Sequence, residues 1–185
     1  MISLPFRRPP PSGLTIDALY GTIVAQARSP AFYLAYGVAD TVGARLDMIM
    51  LHLALVMRQL AATGAARSVG QPLFDRFCRD IDDNLREMGV GDLAVPKRMR
   101  RVAEDFHGRS RAYGDALAAE GISALAQAVG RNVYGAAVPP LGAWRLAAYM
   151  REVAQNLAKY DASAWAELAF CDPAAVKLPA EAGQA

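Results

Sequence analysis

Reactive side chains are scarce in this chain of 185 residues, which holds two cysteines and two histidines. Cys78 and Cys171 belong to no CxxC and have no histidine at ligand spacing, which argues against zinc and gives no sign of an oxidising compartment. Neither His52 nor His107 has a serine, cysteine or carboxylate partner at a recognisable motif spacing. No GxSxG, Walker loop or Rossmann fingerprint occurs either, so no enzyme is expected. Charge of one sign is not in excess. Twenty basic against 18 acidic residues leave a net +2, too balanced to imply a specific nucleic-acid partner. Long apolar runs are missing: the longest uncharged apolar stretch, Met48 to Met57, is about half of what a bilayer span needs. The start, MISLPFRRPPPSG, has neither the apolar core of a signal peptide nor the amphipathic pattern of a transit peptide, and a cytoplasmic location is expected.

Alanine is abundant, at 37 residues, and is the strongest helix former, whereas β-branched runs are few. With 54% apolar and 21% charged residues the composition is globular. We expect an all-α, single-domain bundle of about seven to eight helices around a buried central helix. Residues 1–12 read as a flexible Pro-rich arm, 13–171 as the helical domain, and 172–185 as a loose Ala/Pro-rich tail. Thr15 or Ser12 caps a first helix to about Arg28, and Pro30 opens a short second one. Asp40 caps a third, from about Thr41 to Thr63, which Gly64 ends. Its residues Val42, Leu46, Ile49, Met50, Leu53, Val56, Met57 and Leu60 keep helical spacing, while Met48, Leu51 and Leu55 make a second apolar face. A helix apolar on two faces is the buried central one. A fourth runs from Pro72 to Met88 on the stripe Phe74, Phe77, Cys78, Ile81, Leu85 and Met88, with Gly89 as its C-terminal stop. Pro96 starts a fifth, reaching about Ala119. A sixth ends near Tyr134, a seventh spans Leu141 to Tyr160, and Asp161 caps an eighth ending near Phe170.

Three constellations stand out. On the fourth helix Asp80, Asp83 and Glu87 lie on one stripe, nearly opposite the apolar face. Such a stripe is a solvated surface, a partner-docking face, or a Mg²⁺ site for a diphosphate. Asp75–Arg79, Arg76–Asp80 and Asp82–Arg86 stand at i, i+4, which pairs much of the charge locally. On the fifth helix Lys97, Arg98, Arg100, Arg101, Arg109 and Arg111 form a basic stretch. There Arg100–Glu104 and Arg101–Asp105 are spaced to pair, and Lys97, Arg98, Arg109 and Arg111 have no local partner. Such a stretch is a solvated surface, or it pairs with the neighbouring acidic helix, with anionic lipid headgroups, or with RNA-rich machinery such as the ribosome. Trp144 lies off the inner stripe of the seventh helix, either covered by another segment or a contact anchor. Asp80, Asp83, Glu87, Lys97, Arg98, Arg101, Arg109 and Trp144 are therefore the candidate partner-binding residues. No catalytic residue, metal ligand or cofactor is assigned. His52 reads as a satisfied core histidine, the rival being a haem or lipid cavity beside the central helix.

The segment DIDDNLREMGVGDLAVPKRMR, Asp80 to Arg100, resembles the signature of the ubiquinol–cytochrome c chaperone family. The stretch from Leu19 to Leu60 and FHGRSRAY from Phe106 are similar to the same family, so the resemblance runs from about Leu14 to Phe170. Its most specific part is GVGD followed by VPK, where a charged helix, a double-glycine turn and a Pro-led helix coincide. The resemblance implies an assembly factor for ubiquinol–cytochrome c reductase that binds nascent or newly inserted cytochrome b. Mitochondrial members act near the ribosome with a small partner protein. The missing targeting arm and the arginine bias, 17 Arg to 3 Lys, fit a bacterial-type member placed at the inner face of the cytoplasmic membrane.

Overall fold

The third helix organises the molecule, because nearly every residue from Met48 to Leu60 is buried, polar or not. In a computed structural model that describes residues 16–160, 165 and 168–183, seven α-helices follow one another: α1 (Ile16–Ala27), α2 (Pro30–Leu34), α3 (Val42–Ala62), α4 (Gln71–Glu87), α5 (Val95–Ala118), α6 (Ser123–Val133) and α7 (Leu141–Leu157). Helix α3 packs against α1, α5, α6 and α7. Leu51, Leu53, Val56 and Leu60 are wholly buried there, each contributing about 1.5–3 kcal/mol of burial. No strand occurs among the described residues. The arm 1–12, the proposed caps Ser12 and Thr15, and most of the expected eighth helix (161–164 and 166–167) lie outside the described residues.

Helix ends follow local chemistry with one exchange. Thr41, not Asp40, caps α3: its hydroxyl accepts from the Ala44 amide at 3.2 Å. Asp40 instead pairs with Arg45 at 2.6 Å. A turn of π-helix, Ala66–Gly70, joins α3 to α4, with Val69 buried. Gly89, at φ +77°, takes the left-handed C′ position after α4, and the Val90 amide closes on the Leu85 carbonyl.

The C-terminal segment expected to be loose is held down by side chains reaching its carbonyls. The Tyr36 hydroxyl donates to Pro173 O at 2.6 Å, and Arg145 Nε donates to Val176 O at 2.9 Å. Pro173, Val176 and Ala182 are buried. Arg145 also lies over the Tyr36 ring at 4.6 Å, a cation–π contact. Where α7 begins, Gly142 lies so close to the Tyr36 backbone that a Cβ would collide with its carbonyl oxygen.

Candidate functional site

The central histidine is fully engaged. His52 Nδ1 lies 2.8 Å from the Met48 carbonyl, which can only accept, so Nδ1 carries the proton. Nε2 then accepts from the Tyr149 hydroxyl at 2.9 Å, and that oxygen accepts from Gln26 Nε2 at 2.9 Å. Phe32, Tyr149 and Phe170 surround the imidazole, with ring centroids 5.3–5.5 Å away. Burial pushes the His52 pKa down to about 4, opposed in part by the Met48 hydrogen bond. This is a satisfied core histidine. Both ring nitrogens are hydrogen-bonded, which leaves neither free to ligate a haem iron.

The acidic stripe separates into two environments. Asp83 and Glu87 are exposed, whereas Asp80 is drawn toward α1, accepting from the Tyr20 hydroxyl at 2.9 Å and lying 3.5 Å from Arg76. Burial, with the Asp80 charge second, raises the Tyr20 pKa. Arg76 also bridges to Asp17 at 2.8 Å, and its guanidinium sits 4.9 Å over the Tyr20 ring. Asp82–Arg86 closes at 2.7 Å as its spacing suggests. Asp75 accepts from Gln71, and no Asp75–Arg79 ion pair is among those of the described residues. The three stripe carboxylates do not converge, and no cluster of metal-binding side chains occurs among the described residues.

Helix α5 divides as well. Lys97, Arg98, Arg100, Arg101 and Arg111 are exposed, and among the described residues none of them forms an ion pair, Arg100–Glu104 and Arg101–Asp105 included. Arg109 turns inward. It pairs with Asp47 of α3 at 2.9 Å and donates to Asn132 O of α6 at 2.8 Å, leaving about a fifth of each charged side chain exposed. Burial raises the Asp47 pKa while Arg109 opposes it. Arg109 therefore ties three helices together and is not part of a free basic face. Trp144 is 5% exposed, so the protein's own core covers it and it offers no contact anchor.

The feature that periodicity alone missed is an open apolar groove. Helices α1 and α5 each pack against both α3 and α4, while α3 and α4 make few contacts with each other. The gap, of about 320 Å³, is walled by Val42, Leu46 and Ile49 of α3 and by Ile81, Leu85 and Met88, with Val102 of α5 closing one side. Val42 and Met88 remain 73% and 59% exposed. Arg28, Arg45, Asp80 and Asn84 supply the polar rim. A surface of this kind holds an apolar segment of another chain and leaves the rim to fix its register.

A family model described as ubiquinol–cytochrome C chaperone matches residues 34–170. The crystal structure of the Cbp3 homolog from Brucella abortus is similar to this chain, with a TM-score of 0.78 and 35% identity over 88% of this chain and 91% of that one. A comparison with curated proteins gave no match.

Proposed function

The chain belongs to the ubiquinol–cytochrome c chaperone family, and from that premise we propose that it binds newly made cytochrome b and holds it for assembly of the ubiquinol–cytochrome c reductase complex. The observation that carries this reading is the groove between α3 and α4. An unassembled membrane protein exposes apolar helices, and a chaperone needs a surface that receives them without folding around them. Val42, Leu46, Ile81, Met88 and Val102 provide such a surface at little cost, since Val42 and Met88 are already open to solvent. Met88 in the groove wall adapts to side chains of different shape. The residues elsewhere that resemble catalytic groups are engaged: His52 in the core and Asp80 with Tyr20 and Arg76.

The test is affinity capture of the tagged protein from its own cells during active translation, with mass spectrometry of what is retained. Cytochrome b should be recovered with the wild type and lost with Val42→Glu/Met88→Glu, which places two carboxylates in the groove. Deletion of the gene should deplete assembled reductase and spare other respiratory complexes. Normal reductase levels in the deletion strain would sink the reading.

A further inference from the structure

The seven residues between α4 and α5, Met88 to Ala94, form a fixed turn. The Gly89 amide closes on the Arg86 carbonyl at 2.9 Å, and the Ala94 amide on the Gly91 carbonyl at 2.8 Å. Within this turn Leu93 is 98% exposed, and Met88 at the other end is 59% exposed. An isolated exposed leucine is ordinary. Leu93 is not isolated from charge, however: Lys97, Arg98, Arg100 and Arg101 occupy the first two turns of α5, exposed and without ion pairs among the described residues.

At 100° per residue these four side chains spread around about half of the helix circumference, a collar and not a stripe. The α5 N-terminus has no side-chain cap, so its dipole adds positive potential at the same end. From Arg86 to Arg101 there are five cations and two carboxylates, and one of those, Asp92, is held by Arg86.

We propose that the α4–α5 connection docks on an anionic lipid bilayer, with Leu93 and Met88 entering the acyl boundary and the Lys97–Arg101 collar lying among the lipid phosphates. The collar begins four residues after Leu93 and extends roughly 6 Å along α5 by the helical rise, so the cations follow directly on the apolar tip. The pattern of an apolar tip ringed by cations matches a surface that is apolar inside and negative outside. RNA has no layer to receive Leu93. The proposal does not depend on the identity of the client, although Met88 lines both tip and groove, so docking would bring the groove to the membrane surface.

Sedimentation of the full chain with vesicles of phosphatidylcholine mixed with phosphatidylglycerol, against phosphatidylcholine alone, tests it. Binding should favour the anionic vesicles by at least about tenfold and weaken as salt is raised. Each cation at such a surface contributes about fivefold, so Lys97→Glu/Arg98→Glu/Arg101→Glu should abolish the preference. The control Arg58→Glu/Arg67→Glu/Arg131→Glu makes the same charge change at exposed positions elsewhere and should retain it. Leu93→Asp should weaken binding about tenfold. The emission of Leu93→Trp should shift to the blue on anionic vesicles only. Equal binding to both vesicle types, no binding, equal loss in the control, or an indifferent Leu93→Asp would each overturn the proposal.

Discussion

Around His52, aromatic rings and hydrogen-bonding side chains are closed on one another. At the α4–α5 connection, apolar and charged side chains are left facing water. In the first region Phe32, His52, Tyr149 and Phe170 stack edge to face, and the chain from Gln26 through Tyr149 and His52 to the Met48 carbonyl satisfies its polar groups. In the second, Leu93 touches almost nothing and four cations lack carboxylate partners among the described residues. The histidine, a residue type that attracts functional readings, belongs to the sealed region. The residues open for work are a leucine, a methionine and a collar of basic side chains. Under the proposals made above, stability and partner contact have separate addresses in this molecule, and experiments can test that separation.

The largest effect is expected at Phe32, which is wholly buried and meets Tyr36, His52 and Tyr149 with ring centroids 5.0–5.5 Å away. Phe32→Ala removes a ring from a packed site that cannot collapse around it, at a cost of about 3–5 kcal/mol. Urea unfolding should report that loss. A cost under about 1 kcal/mol would mean that the region is loosely packed, and the comparison would fail on its first side.

A somewhat smaller effect comes from His52 itself. Its folded pKa is about 4, below the roughly 6.5 of an unfolded chain. As the pH falls through that interval, the unfolded chain takes up a proton that the folded one refuses. The stabilisation is complete above about pH 6.5 and is lost by about pH 4, a change of about 3 kcal/mol. Denaturation measured across this range should show a steeper decline for the wild type than for His52→Gln, whatever the variant's own stability at neutral pH. Parallel curves would mean that the imidazole meets water in the folded state, and that the cluster is not sealed.

Much of the fold was legible in the sequence, because the long helices satisfy periodicity and stop signals together. Helices α3 and α4 lie within a residue of their expected ends, and Gly89 takes its left-handed turn. The cap of α3 moved from Asp40 to Thr41 since both residues accept amide hydrogen bonds, and Arg45 decided between them by drawing Asp40 away. The groove was not legible for a different reason. Ile81, Leu85 and Met88 have the same spacing whether a neighbour covers them or not, and only the gap between α3 and α4 distinguishes a core stripe from a docking surface. Arg109 carries a signal in the sequence. It stands on the inner stripe between Phe106 and Tyr113, and Asp47 adjoins the buried Met48, so each charge needed a partner across the helices. The C-terminal segment looked loose by composition, but the groups that fix it lie far away in sequence, at Tyr36 and Arg145.

The smallest expected effect sharpens the contrast most directly. Met88→Ser/Leu93→Ser deletes two large apolar side chains, the same kind of loss that is severe at Phe32. Leu93 has almost no contacts to lose, and Met88 is more than half open. Hydrophobic stabilisation scales with the area removed from water, which here is small, so urea unfolding should shift by no more than about 0.5 kcal/mol. The serines leave the turn intact, because the amides of Gly89 and Ala94 make its closing bonds. A loss above about 1 kcal/mol would show that the connection packs against the rest of the chain in solution, and Leu93 would then be a structural residue with nothing to offer a membrane. An unchanged midpoint, together with weakened binding to anionic vesicles, would place these two side chains among those the protein keeps for contact with something other than itself.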